Sequence, residues 1–410
     1  MIDRQQAEQL ATVWARRDSQ RLGYECRPTI DEFDLGYVIR STVSTDAATV
    51  PGDLPTTVVD KETGEVTTWP RVPTPVVEQM YRRSRPTGAP APRTVDPASQ
   101  LLREIRRLPT PTTVAHLTVE GRTFIAQGAK GDIELNHHPL VRAYLDELPP
   151  GHLVRGGGRH AELIVVSDVL HEYDHRRAAA GQPPLTMREA EPLLFAAPLQ
   201  VFRVRERNDP AAGVAERPCD SCVNMLVHFG VVGWSDSAFT VERKSQPHDS
   251  PEPDRFPPEV ANSLVEAGWR PSRGDEGLAL MAIREALEVT SEQHEHPSLT
   301  AAQATLSKFP GLVSGRRGPG QQVWISWFSI DPLHAAHTAD TLADFGAVLG
   351  VRLFPIGSER QDSILAVDER GRIFALDQAG EWFLGEDIDD ALTTLLLGRA
   401  PARVRDDGTW

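Results

Sequence analysis

Gly156-Gly-Gly-Arg-His-Ala-Glu162, which runs into the apolar stretch Leu163–Val169, and Glu216-Arg-Pro-Cys-Asp-Ser-Cys222, which runs into Val223–Phe229, are two loop-to-helix junctions. The strand-like Leu199–Val204 lies between them. Glycine and proline interrupt structure just ahead of each apolar run, so each run is predicted to be a helix. Pro218 suits a first helical turn because it needs no N–H partner there. Cys219 and Cys222 are three apart, so at a helix start both sulfurs face one point. The positive end of the helix favours the thiolates that a metal requires. One imidazole, from His160, and two thiolates leave the fourth position of a zinc ion open to water, the pattern of a catalytic site. Zinc lowers the pKa of such a water enough for attack on an amidine carbon, as at C4 of cytosine. Glu162 can carry the protons to the ring nitrogen and the leaving ammonia, as a general acid/base that is not itself a ligand.

Either half alone is a weak signal. A Cys-x-x-Cys pair is also a redox motif or half of a structural zinc site. A structural site needs a fourth Cys or His, and Cys26 lies in a different segment. A redox pair leaves His160 without a role. Together, His160-x-Glu162 and Pro218-Cys219-x-x-Cys222 form the two-part signature of zinc deaminases acting on nucleobases. A rival motif, His171-Glu-Tyr-Asp-His175, has metalloprotease spacing. Asp174 inside it and Arg176-Arg177 after it predict an exposed helix end instead. Gly156–Gly158 reads as a flexible loop or a close backbone approach to a ligand. Trp234 reads as core, or as a platform for a base.

Working outward, 410 residues exceed one hydrophobic core and predict two or three domains. Pro-rich stretches at 82–94 and 246–254 read as linkers and divide the chain into residues 1–82, 99–245 and 255–405. The net charge of −15 sits mainly in residues 246–410, with 14 basic against 26 acidic side chains. No segment is basic enough by composition to hold a long duplex, which favours a nucleotide, a nucleoside or a single-stranded nucleic acid. Three cysteines exclude a disulfide framework and fit a reducing, cytoplasmic setting. The charged N-terminus gives no secretory signal, and the longest apolar run, 192–199, is far short of a membrane span.

The flanking segments both read as α+β. The first has an amphipathic helix through Ala7, Leu10, Ala11 and Trp14, a strand over 36–43, a hairpin over 57–68 turning at Gly64, and a helix opening at Thr74-Pro75. The third has helices over 258–267, 277–288 and 300–308, a strand over 322–330, a helix over 333–349, strands over 363–367 and 372–376, and a last helix over 387–397. Glu386, Asp387, Asp389 and Asp390 at the start of that helix read as a solvated N-terminus complementing its dipole, or as a partner surface. The middle segment reads as a hairpin over 113–127 turning at Glu120-Gly121, a helix over 139–148, then the two motif junctions.

Through His160-Ala161-Glu162 and Pro218-Cys219-Asp-Ser-Cys222 the middle segment resembles the YwqJ-related deaminases of the cytidine and nucleic-acid deaminase superfamily, which are associated with polymorphic toxin systems. The resemblance implies a cytidine-deaminase-like α/β/α sandwich, with about five strands and zinc at the two helix starts, and hydrolytic deamination of a base. It makes Asn136, Ala161 and Pro218 candidate substrate contacts, although Asn136 reads equally as a helix cap. The long gap between the motif halves and the short tail after the cysteine helix depart from the pattern. The third segment is similar to the third SUKH immunity family, through Phe256-Pro-Pro-Glu-Val260, Ala267-Gly-Trp-Arg-Pro271, Phe309-Pro-Gly-Leu312, Phe354-Pro-Ile-Gly357 and Phe383-Leu-Gly385. The first resembles immunity protein 35, through Glu32-Phe-Asp-Leu-Gly-Tyr37 and Val58-Val-Asp-Lys-Glu-Thr-Gly64. These resemblances imply toxin-binding partners or an intramolecular one. The expected protein is an α/β and α+β multidomain chain: a zinc deaminase between two immunity-like domains, favouring cytosine over adenine. The alternative is a non-catalytic immunity protein that keeps a deaminase-like scaffold.

Overall fold

The structure is a computed structural model that describes residues 1–43, 56–85, 90–233, 255–270, 274–289, 293–360 and 362–410, without the side chains of residues 20 and 21. Trp234 and the acidic linker 246–254 lie outside the described residues, as do part of the 82–94 linker and Pro271 of the third segment's motifs. Two compact units are present: Met1–Leu108 with Ile133–Asn136, and Pro109–Asp132 with His137–Trp410.

The first unit runs α1 (Arg4–Leu22), β1 (Cys26–Glu32), β2 (Gly36–Val43), β3 (Thr56–Asp60), β4 (Val66–Trp69), α2 (Thr74–Ser84) and α3 (Pro97–Arg106). Its four strands form an antiparallel meander in sequence order. Alternation along β2 sorts the side chains onto two faces. Tyr37 and Ile39 join Val59 against Leu10 and Ala11 of α1 and Ala98 and Leu101 of α3, while Val38 and Val58 meet Val77 and Tyr81 of α2. Asp3 caps α1 through the Gln6 N–H at 2.8 Å in a capping box.

The second unit begins with β5 (Thr112–Val119) and β6 (Arg122–Gln127). Glu120 and Gly121, both at positive φ, form the tight turn expected between them. Then come α4 (Pro139–Glu147), α5 (Ala161–Ala179), α6 (Met187–Leu194), β7 (Leu199–Val204) and α7 (Asp220–His228). The sheet order is β6-β5-β7, all antiparallel. Among the described residues this sheet has three strands, against the five the resemblance implies. The run Leu163–Val169 sits inside the much longer α5, and Ala161–Leu170 are buried without a break. That accounts for its lack of amphipathic pattern.

The rest of the unit runs α8 (Pro258–Glu266), α9 (Glu276–Glu288), α10 (Thr300–Lys308), β8 (Leu312–Ser314), β9 (Phe328–Ile330), α11 (Ala339–Leu349), β10 (Leu353–Glu359), β11 (Ser363–Asp368), β12 (Ile373–Asp377), β13 (Gly380–Gly385), α12 (Ile388–Leu397) and β14 (Ala402–Arg403). Seven antiparallel strands stand in the order β14-β13-β12-β11-β10-β9-β8. Leu365, Val367, Ile373 and Ala375 face α8, α9, α10 and α12, while Ile364, Ala366, Phe374 and Leu376 face Leu342 and Phe345 of α11. Both faces are covered, so these strands read as continuous apolar runs. Asp387 accepts from the N–H groups of Asp389 and Asp390, and Asp389 pairs with Arg255, so the acidic start of α12 is a cap and an ion pair.

No helix among the described residues is long and apolar enough to cross a membrane.

Candidate metal centre

His160 is the N-cap of α5 and Cys219 the N-cap of α7, both in extended backbone conformation. The two helix starts meet. His160 Nδ1 lies 3.6 Å from Cys219 Sγ and 3.4 Å from Cys222 Sγ, and the three ligand atoms are all within 4.8 Å of one another. A tetrahedral zinc with bonds of about 2.0 Å to nitrogen and about 2.3 Å to sulfur sets N···S edges of roughly 3.5 Å. The side chains present therefore fit a metal, and this is the one His/Cys/Asp/Glu group of that kind among the described residues.

The site is buried. His160 is 0%, Glu162 1% and Cys222 2% exposed. The neighbouring Cys222 thiol, then the His160 imidazole, hold Cys219 well below the usual thiol range. Burial lowers the His160 pKa, but the Cys219 thiolate outweighs it and the net direction is up. Burial pushes Glu162 up to about 7, against the opposing pull of His160. Glu162 Oε2 and His160 Nε2 have no hydrogen-bond partner among the described residues. Glu162 thus keeps one buried oxygen unpaired beside the cluster of metal donors.

A cavity of about 280 Å³ opens on Glu162, Pro218 and Cys219. Ala161 donates its backbone N–H to Gln378 Oε1 at 3.1 Å. Asn136 is exposed, donates its backbone N–H to the Thr94 carbonyl at 2.8 Å and belongs to the first unit, whereas the metal-site residues belong to the second. The cap of α4 is His138, whose Nδ1 accepts the Leu140 N–H at 3.2 Å. His171 of the rival motif is buried, not exposed, with its ring edge-on to His138 at 5.2 Å, and His138 Nε2 in turn contacts Asp174 at 2.8 Å. The apolar side of α5 extends further than its charges imply. His171 and His175 belong to no metal-holding group among the described residues.

Residues 97–231 match the family model of the YwqJ-like deaminases. This deaminase domain lies between two others. Residues 5–89 match the immunity protein 35-like domain, and residues 256–398 the SUKH-3 immunity protein. No curated protein and no solved structure matches the chain. The deaminase match starts at α3, which packs within the first unit, and ends just after α7.

Sequence reasoning missed the side chains that the SUKH-like domain brings to this site. Arg360 carries a positive φ of 54°, donates Nε–H to Asp362 at 2.9 Å and lines the cavity with Gln378. Arg155, ahead of the His160 junction, is 6% exposed and pairs with Glu359 at 2.8 Å and Asp377 at 2.9 Å. The two acids stand at the ends of β10 and β12, and the sequence pattern marked neither of them.

Proposed function

We propose that this chain is a zinc-dependent hydrolytic deaminase of a nucleobase, with cytosine favoured over adenine, working in a toxin–immunity setting. The observation that carries the reading is Glu162, buried with an unpaired oxygen beside the His160/Cys219/Cys222 cluster. A scaffold kept only for binding has no use for a buried carboxyl with an unpaired oxygen, which costs stability. The overall change replaces the amidine C–NH₂ with C=O, consuming one water and releasing one ammonia.

His160, Cys219 and Cys222 would hold the ion, and zinc bound there supplies Lewis-acid activation of a water. Glu162 takes a proton from the water side and returns protons to the ring nitrogen and the departing amine. A carboxyl that titrates near 7 gives up and regains a proton at little cost, which suits a group used in both directions. The helix N-termini of α5 and α7 favour thiolate at the cysteines. The cavity of about 280 Å³ suits a one-ring base carried on a small molecule or splayed from a single strand better than one stacked in a duplex.

The test is to purify the full chain, quantify zinc, and follow ammonia release from cytidine, adenosine, their nucleotides and short single strands. One zinc per chain with release from a cytosine substrate is expected. One zinc per chain with no release from any substrate would instead favour the non-catalytic immunity protein.

A further inference from the structure

We infer that the SUKH-like domain is a permanent wall of the deaminase pocket, and that the pocket it completes takes a nucleotide, base towards Glu162 and phosphate towards Arg217 and Arg317. The inference rests on the deaminase reading for its chemistry but not for its geometry. Thr113, Glu162 and Cys219 line the cavity from the deaminase domain, and Trp324, Arg360 and Gln378 from the SUKH-like domain. Apart from Arg203 and Glu216, which form an ion pair at 3.2 Å, three buried polar atoms on this lining have no hydrogen-bond partner among the described residues: Thr113 Oγ1, Glu162 Oε2 and Trp324 Nε1. Their residues are 2%, 1% and 6% exposed. Buried polar atoms are rarely left unpaired, and three facing one cavity mark a surface made for a polar ligand.

The wall is fixed in place. Separating it would strand Arg155 from Glu359 and Asp377, and Lys130 from Glu381 at 3.5 Å, and each is a pair with both partners buried. Leaving such charges unpaired is strongly unfavourable. Glycines bring the backbones together: a Cβ at Gly128 would stand 2.4 Å from the Gln378 carbonyl oxygen, and one at Gly156 2.5 Å from the Ala379 Cβ. At Arg360 the left-handed backbone is held by its N–H on the Trp327 carbonyl, at 2.8 Å. Strain of that kind persists where the surroundings demand a particular side-chain direction.

Beside its ion-paired carboxylates and arginines, the lining offers an indole N–H, a hydroxyl and the carboxamide of Gln378, groups that can read a base edge. Arg217 and Arg317, one from each domain, are exposed on the same lining, and Arg317 lies over the Trp327 ring at 6.0 Å. Cations at the exposed side select a phosphate. With a chain charge of −15 and no basic stripe, a free nucleotide fits better than a polymer.

The test uses zinc-loaded full chain carrying Glu162→Gln, titrated with cytidine, cytidine 5′-monophosphate and an oligodeoxycytidine by calorimetry. The monophosphate should bind tighter than the nucleoside. Arg317→Ala should remove about tenfold of the monophosphate's affinity, roughly one lost charge-assisted contact, and leave cytidine unchanged. Trp324→Phe, which keeps the ring and deletes the donor, should weaken both ligands alike. Wild-type affinities in both variants, or no binding by the parent, would overturn the wall. An oligomer that binds tightest with a steep salt dependence would overturn the free nucleotide. With Glu162 restored, ammonia release raised above that of wild type by Trp324→Phe or Gln378→Ala would make the domain a plug rather than a wall. Binding in the expected pattern by the Glu162→Gln chain, with no ammonia release by wild type, upholds the pocket and counts against the deaminase.

Discussion

Two buried charge clusters sit close in sequence and are built on opposite principles. Arg155 is enclosed with Glu359 and Asp377, and Asp377 is further satisfied by the Ala379 N–H at 2.9 Å and the Trp382 Nε1–H at 3.1 Å. Five residues on, His160 and Glu162 are equally buried but keep polar atoms unpaired. In the first cluster the two carboxylates stand 2.8 and 2.9 Å from the Arg155 guanidinium, so its removal is expected to cost stability. In the second, Glu162 keeps an oxygen unpaired beside the metal donors, so under the proposed function its removal is expected to cost turnover.

The largest effect expected from this contrast is at Arg155. Arg155→Ala leaves two carboxylates buried without their cation and should cost about 3–5 kcal/mol in a denaturant titration. Adding Glu359→Gln and Asp377→Asn to Arg155→Met should recover most of that loss. If the single and triple variants are equally unstable, the cluster is not a charge-balance device. Cys219→Ser comes next. Bound zinc should fall from one per chain towards none, with the thermal midpoint lowered to that of chelator-treated wild type, because folding and metal binding are linked. A variant that keeps its zinc would move the metal elsewhere.

The smallest effect is predicted in the first unit, where Asp60 is a satisfied carboxylate of the Arg155 kind. It accepts from Tyr81 Oη at 2.6 Å and from the Glu62 and Thr63 N–H groups. Burial raises its pKa, but the Tyr81 hydrogen bond and those N–H groups outweigh that, so the folded value is depressed. The stability it contributes is therefore complete above the ordinary aspartate range, near about 4, and is lost as pH falls through the folded value. Asp60→Asn should lower stability at neutral pH and flatten that acid slope. An unchanged slope would show that Asp60 is not its source.

The His160/Cys219/Cys222 cluster was legible because its chemistry is local. His160 to Glu162 and Pro218 to Cys222 each fit within one turn at a helix start, so spacing alone places the donors. β5, β6, β7 and α10 were legible for a similar reason, since alternation or apolar periodicity fixes them without long-range information. β10 and β13 were not. Leu353–Glu359 is buried along its whole length, and a buried strand has neither alternation nor amphipathic face to read. The strand expected over 322–330 shrinks to Phe328–Ile330, because Ile325 bridges to Gly318 and the Gln322 carbonyl accepts from Gly151. Arg155, Arg360, Trp324 and Gln378 were illegible as site residues because their role exists only once two separately read segments pack together. No spacing in the chain encodes a contact between residues 161 and 378.

The most direct measurement compares ammonia release by wild type and Glu162→Gln, each with its zinc content and unfolding midpoint determined. The account predicts one zinc per chain and a comparable midpoint in both, with turnover lower in the variant by about 10²–10⁴-fold, the usual worth of a general acid/base. Equal turnover in the two proteins, or loss of zinc in the variant, would contradict it.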